Sequence, residues 1–177
     1  MTDHPVLYLV VCAAPPAQRI GELVELLICD GWTVCVIATP TAATWIDREA
    51  LAERTGHPVR WTPRTPGEPA VHPEADAVLV APATFNTVNK WALGINDNVA
   101  LGILNELLMS GLPILASPYA KQSMTVHPSY AGHVRLLAAA GVEFTETEAL
   151  RPRTTADDHP WHMVNERLRR HLPAADT

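Results

Sequence analysis

The 177 residues suffice for one domain with a substantial core and are too few for two ordinary ones. With 47% hydrophobic and 18% charged residues, the balance is that of a globular chain rather than a disordered one. A formal net charge of -6 argues against a nucleic-acid partner, which needs a basic face.

The first element is a continuous apolar run, Val6–Val11, of the kind found in a parallel sheet covered on both faces. The whole apolar stretch 6–14 is too short to span a bilayer, and no basic segment precedes it, so a soluble, cytoplasmic protein is expected. A helical spacing follows through Ile20, Leu23, Val24, Leu26 and Leu27, closed by Asp30-Gly31. Thr33–Ala38 reads as a second strand and 41 to about 54 as a second helix. The proline-rich stretch 56–75 reads as a loop with one extended piece at 59–61. Residues 77–80 form a third buried strand, and 86–109 a long helical stretch that Gly94 can break in two. Then come a fourth strand at 112–116, a helix at 133–140 ended by Gly141, and a short strand at Val142–Phe144. The division is a binding domain at 1–150 and a polar tail at 151–177, with a short helix near 161–171.

This β-α alternation predicts an α/β fold: a flavodoxin-like or Rossmann-like doubly wound parallel sheet in three layers, with right-handed crossovers. Ligands in such folds lie outside the carboxyl ends of the strands. Those ends hold Cys12-Ala13-Ala14-Pro15-Pro16, Thr39-Pro40-Thr41, and 81–87. A loop of small residues entering a helix suits a phosphate, although Pro15 and Pro16 carry no N–H. Thr39 can cap the next helix or donate its hydroxyl to a phosphate. At 81–87, small residues admit a planar ring, and Thr84, Asn86 and Thr87 supply polar groups for its edge. Helix capping explains each of these residues singly, but not their gathering. Cys12, Cys29 and Cys35 form no C-x-x-C pair, so no metal site or redox dithiol is expected.

Residues 81–98, APATFNTVNKWALGINDN, closely resemble the APATANT…K…G…DN signature of the homo-oligomeric flavin-containing cysteine decarboxylases. VCAAPPAQRIGELVELL and ATPTA fall where that family has V-T-G-S-I-A-x-x-K…E-L-x-x-L-L and M-T-x-x-A, and the resemblance covers roughly residues 6–145. It implies flavin mononucleotide (FMN) as cofactor, a small-molecule or peptide thiol as substrate, and a homo-oligomer built from trimers with the flavin between subunits. Carried over, Ala13, Ala14 and Pro15 form the phosphate loop and Thr39 the hydroxyl on the second strand. Thr84, Phe85, Asn86 and Thr87 contact the flavin, Ser117 sits by the ring, and Lys90, Asp97 and Asn98 help form the site. The implied activity is oxidative decarboxylation of a cysteine-type group.

Three departures stand out. The family's G-S is Ala13-Ala14. Its catalytic histidine falls on Glu68, which leaves His72, four residues ahead of Asp76, as the nearest acid/base. Its P-A-M-N-x-x-M-W-x-H-P survives only at Pro118, Met124, His127 and Pro128, with Lys121 in place of the asparagine that grips the substrate carboxylate. After Gly141 no cysteine-bearing, glycine-rich clamp follows. The alternative reading is a non-catalytic flavin-binding or regulatory subunit that has lost the catalytic histidine.

Overall fold

The computed structural model describes residues 4–152 and 159–172. Five parallel strands, β1 (Val6–Val11), β2 (Thr33–Ala38), β3 (Ala77–Ala83), β4 (Ile114–Pro118) and β5 (Val142–Phe144), form one sheet in the order β2-β1-β3-β4-β5. This is the flavodoxin-like order, with its topological switch point between β1 and β3.

Although β1 is apolar throughout, its alternate side chains enter different cores. Leu7, Leu9 and Val11 pack on one face with α1 (Ile20–Cys29) and α7 (Trp161–Leu168). Val10 and Cys12 pack on the other with α3 (Phe85–Ala92), α4 (Val99–Leu107) and α6 (Pro128–Ala139). Each fully buried Leu, Ile or Val contributes roughly 1.5–3 kcal/mol. A sheet so covered is held in place by both layers.

Helix α1 buries Ile20, Leu23, Val24 and Leu27, the spacing of one helical face, and Gly31 takes φ +90° just past its end. The single helix expected at 41–54 is instead a 3-10 turn, Ala42–Thr44, and a short α2 (Arg48–Thr55). Asp47 is the reason: it is extended and accepts a hydrogen bond from Ala50 N at 3.0 Å, which starts a new helix. The extended piece at 59–61 pairs through a single bridge, Arg60 to Ile37.

Strand β3 runs three residues further than expected, with a register shift against β4 between Val80 and Ala83 and a cis Ala81–Pro82 peptide. The stretch 86–109 does divide, with Gly94 at φ +68° and Asn98 capping α4 through Leu101 N at 3.0 Å. Strand β4 is displaced by two residues towards Pro118. A short α5 (Gln122–Thr125) precedes α6, which starts five residues before the expected His133 because His127 caps it and Pro128 occupies its first turn.

Of the segment read as a polar tail, 153–158 and 173–177 lie outside the described residues. The rest carries α7, whose Trp161, Val164 and Leu168 join the core beside α1. Asp30, just past α1, holds it there. Its carboxylate accepts from Arg169 Nε at 2.5 Å, Arg169 Nη2 at 2.8 Å and Asn165 Nδ2 at 2.8 Å. The Arg169 guanidinium keeps that carboxyl below the usual carboxylate range. Among the described residues no helix is long and apolar enough to cross a membrane.

Candidate functional site

Two adjoining cavities open at the carboxyl ends of β1, β2, β3 and β4. The larger, about 480 Å³, lies between Ala13-Ala14-Pro15 on one side and Tyr119-Ala120-Lys121 on the other, with Phe85 and Met124 in its wall. The smaller, about 390 Å³, reaches Thr39, Thr41, Thr87, Lys90, Asp97 and Asn98. Ala13, Thr84 and Asn86 belong to both, so they form the partition.

The local sequence explains this arrangement. Thr84, extended at the end of β3, starts α3 by accepting a hydrogen bond from Thr87 N at 3.3 Å. Its hydroxyl donates to Thr87 Oγ1 at 3.1 Å. The remaining N–H groups of that first turn have no partner within the helix, and they present a partial positive charge at the partition. Phe85 is braced from behind by Tyr130, stacked at 5.4 Å and 17°, and by the edge of His127. Beneath lies Cys12, whose thiol burial pushes up against the opposing hydrogen bonds of Thr87 and Thr84. It is an inert thiol.

The first loop contributes shape rather than donors. Ala14 N already donates to Cys12 O at 3.0 Å and Ala17 N to Ala14 O at 2.8 Å, while Pro15 and Pro16 have no N–H. Thr39 is better placed. Its Oγ1 accepts a long hydrogen bond from Ala42 N, 3.4 Å, which leaves the hydroxyl hydrogen free to donate into the smaller cavity. In the same wall Lys90 is ion-paired to Asp97, which depresses that carboxyl, and Asn98 Nδ2 donates to Asp97 at 3.0 Å.

The cavities therefore gather Ala13, Ala14, Pro15, Thr39, Thr84, Phe85, Asn86, Thr87 and Lys121. Ser117 and His72 are elsewhere. Ser117 lies within β4, not after it, and is fully buried with its hydroxyl 2.9 Å from that of Thr145, the residue that follows β5. His72 is buried under the loop that precedes β3, its Nε2 2.7 Å from Pro58 O and its ring edge against Tyr8 and His57. Glu68 is also outside, with its carboxylate accepting from Thr65 N at 2.8 Å. It borders a third and larger depression of about 880 Å³, between the proline-rich loop and the α3–α4 turn. That hollow shares Asp97 and Asn98 with the smaller strand-end cavity but takes no residue from the ends of β1, β3 or β4.

Among the described residues no histidine lines either strand-end cavity. The residues that the sequence does not single out are Tyr119 and Arg151 in the larger one. Arg151 follows β5 at a distance, and no periodicity marks where the chain returns.

His72 gives a testable contrast. Burial lowers its pKa from the ordinary 6.5, with the Pro58 carbonyl opposing. The folded chain thus holds it neutral where the unfolded chain takes up a proton. The stability it permits is present above 6.5 and is lost as pH falls towards the folded value. Denaturation of His72→Gln across that window should show a flatter pH dependence than the wild type. A pH dependence as steep as that of the wild type would show that His72 is not the group whose proton uptake lowers stability in that window.

Comparison with known proteins agrees with this architecture. A family model described as Flavoprotein matches residues 2–169. A curated relative, the coenzyme A biosynthesis bifunctional protein CoaBC of Thermococcus kodakarensis, is 30% identical over 145 residues, 77% of this chain and 36% of that protein. The chain thus spans about a third of the length of that relative. Among solved structures, a PPC decarboxylase mutant complexed with pantothenoylaminoethenethiol superposes with TM-score 0.77 at 19% identity, covering 94% of this chain and 97% of the other. The FMN-dependent cysteine decarboxylase SpaF superposes with TM-score 0.69 at 22% identity, covering 81% and 84%. At such identities the superpositions establish the fold.

Proposed function

The chain belongs to the Flavoprotein family, and on that premise we propose that it binds FMN across the two strand-end cavities and acts on a substrate bearing a thiol and a carboxylate. The observation that carries this reading is the convergence of four strand ends on one partition, Ala13, Thr84 and Asn86, with room on both sides. The residues present fit the group. Small side chains at Ala13 and Ala14 let a planar ring approach the backbone, and Phe85 offers a braced apolar wall. The Thr39 hydroxyl and the first turn of α3 supply donors that a phosphate needs, of which Pro15 and Pro16 in the first loop offer none.

When bound, a flavin supplies the two-electron acceptor for oxidation of a cysteine-type thiol to a thioaldehyde, from which the carboxylate leaves as carbon dioxide. The chain's own part is positioning. Lys121, at the rim of the larger cavity, attracts the carboxylate as a mobile charge, and Phe85 and Met124 keep water from the apolar part of the ligand. The chain works as a cytoplasmic homo-oligomer. In support, Leu93 and Ile95 expose apolar surface in the α3–α4 turn, close in sequence to Asp97 and Asn98, and Met109 is exposed past the far end of α4.

A second reading, a flavin-binding subunit without turnover of its own, is favoured by one observation: His72 is spent on Pro58 and no other histidine replaces it in the cavities. One experiment separates the two. The purified protein is incubated with FMN, freed of excess, and its visible spectrum recorded before and after anaerobic addition of a peptide ending in cysteine. Retained flavin bands that bleach, with loss of carbon dioxide and two hydrogens from the peptide, are the expected result. Retained bands that never bleach with any thiol select the subunit, and a colourless protein removes both.

A further inference from the structure

Arg151 is the second cation of the larger cavity, and it is held more firmly than Lys121. Its guanidinium lies over the Tyr119 ring, 5.1 Å from the centroid. One Nη2–H donates to Ala120 O. Tyr119 is itself tied to the end of β3, since its N–H donates to Ala83 O at 2.8 Å, one residue before the partition at Thr84. The stacking fixes the plane of the guanidinium, and a fixed plane is what a two-point hydrogen bond to a carboxylate requires.

The charge is shared with one exposed carboxylate and most of the hydrogen-bonding capacity remains. Glu148 Oε2 comes within 2.5 Å of Arg151 Nε, an ion pair by distance, but the N–H is not aimed along it and Nε stays without a hydrogen-bond partner. The glutamate is 66% exposed and its attraction is screened by water. A guanidinium carries five N–H donors. Ala120 O takes one of those of Arg151, and Nε is buried with no hydrogen-bond partner. Much of the cavity around it is apolar, from Ala13, Ala14, Phe85, Met124 and the Tyr119 ring, with Thr84, Asn86 and Lys121 as its other polar groups.

We propose that Arg151, held flat on Tyr119, is the residue that reads the substrate's carboxylate in the larger cavity, with Lys121 as auxiliary charge. The site then selects an acid with an apolar body over the corresponding amide. This rests on the reading of that cavity as the substrate side of a flavin site.

The test uses N-acetyl-S-methylcysteine and its primary amide, which cannot be oxidised at the thiol. Each is titrated by NMR into the FMN-loaded protein and into the protein without FMN. The wild-type chain should bind the acid about ten- to a hundredfold more tightly than the amide. Arg151→Met should abolish the difference while FMN affinity changes by less than about threefold. Arg151→Lys, which keeps the charge and loses the fork, should retain part of it and guards against misfolding of the methionine variant. Glu148→Gln should tighten the acid by about two- to fivefold, because it removes the competing anion. Equal binding of acid and amide, binding of neither, or discrimination that survives Arg151→Met would overturn the proposal. So would a tenfold loss of FMN affinity with discrimination intact, since the anion on Arg151 would then be the cofactor's phosphate. Should the wild-type chain retain no FMN yet still prefer the acid, the flavin reading fails and this one stands.

Discussion

Ala13→Leu should abolish FMN retention while leaving the protein folded. Ala13 lies where the two cavities meet, opposite Thr84 and Asn86, and any ligand that occupies both has to pass over it. A leucine there places a branched side chain at the partition. The ligand must then abandon one cavity or push the first loop away, and that loop cannot yield cheaply because Ala14 and Pro16 behind it are buried. A loss of at least about a hundredfold in affinity is expected, equivalent to about 2.7 kcal/mol. Ala13 itself is only partly buried, so thermal stability should change by no more than about 1 kcal/mol. The measurement is fluorescence quenching of FMN on titration with protein, alongside a melting curve. Tight retention of FMN by a well-folded Ala13→Leu variant would mean that the flavin does not cross this partition, and the assignment of both cavities would go with it.

How far the sequence discloses this site can be traced residue by residue. Strands β1 and β2 are legible to the residue because unbroken apolar runs are bounded by polar or turn residues. The partition is legible too: Thr84 ends a strand, caps a helix and faces the cavities in one step, so a strand-to-helix junction is enough to find it. Ser117 sits outside both cavities for a simple reason. A strand edge misplaced by two residues turns an expected loop serine into one inside β4, and its hydroxyl then goes to Thr145. His72, four residues past the place of the family's histidine, also lies away from the cavities, because the path of a proline-rich loop is invisible to periodicity. That loop folds down so that the Tyr8 hydroxyl donates to Pro73 O at 2.7 Å, which carries the histidine under the loop rather than to the strand ends. Arg151 is hidden because its placement depends on Tyr119, 32 positions away and itself fixed by Ala83. Contacts of that kind are tertiary, and no local pattern encodes them.

The same dependence makes Trp91 the position where a change far from either cavity should matter most. Its indole is 1% exposed, packed among Val88, Leu104 and the sheet, and Nε1 donates to Leu104 O at 3.2 Å. Trp91→Ala should cost about 3–5 kcal/mol, because it removes a large buried surface and leaves a cavity that the neighbouring helices only partly fill. Trp91→Phe should cost about 1–2 kcal/mol, since most of the packing survives while the hydrogen bond to α4 is lost. Urea denaturation reads both, and a cost below about 1 kcal/mol for the alanine variant would show that α3 and α4 are not held together through this residue. Trp91 sits on α3 with Thr84, Asn86 and Thr87 at the other end, so the helix that presents the partition is the helix this residue anchors. FMN retention should therefore weaken in Trp91→Ala at temperatures where the protein is still folded, and more than in Trp91→Phe. A variant destabilised to the same degree through the opposite core, such as Leu27→Ala under α1, should leave FMN affinity nearer the wild-type value, because neither Leu27 nor any other residue of α1 lines either cavity. Equal losses of FMN in the two variants would mean that affinity follows global stability, and would remove the specific link from Trp91 through α3 to the site.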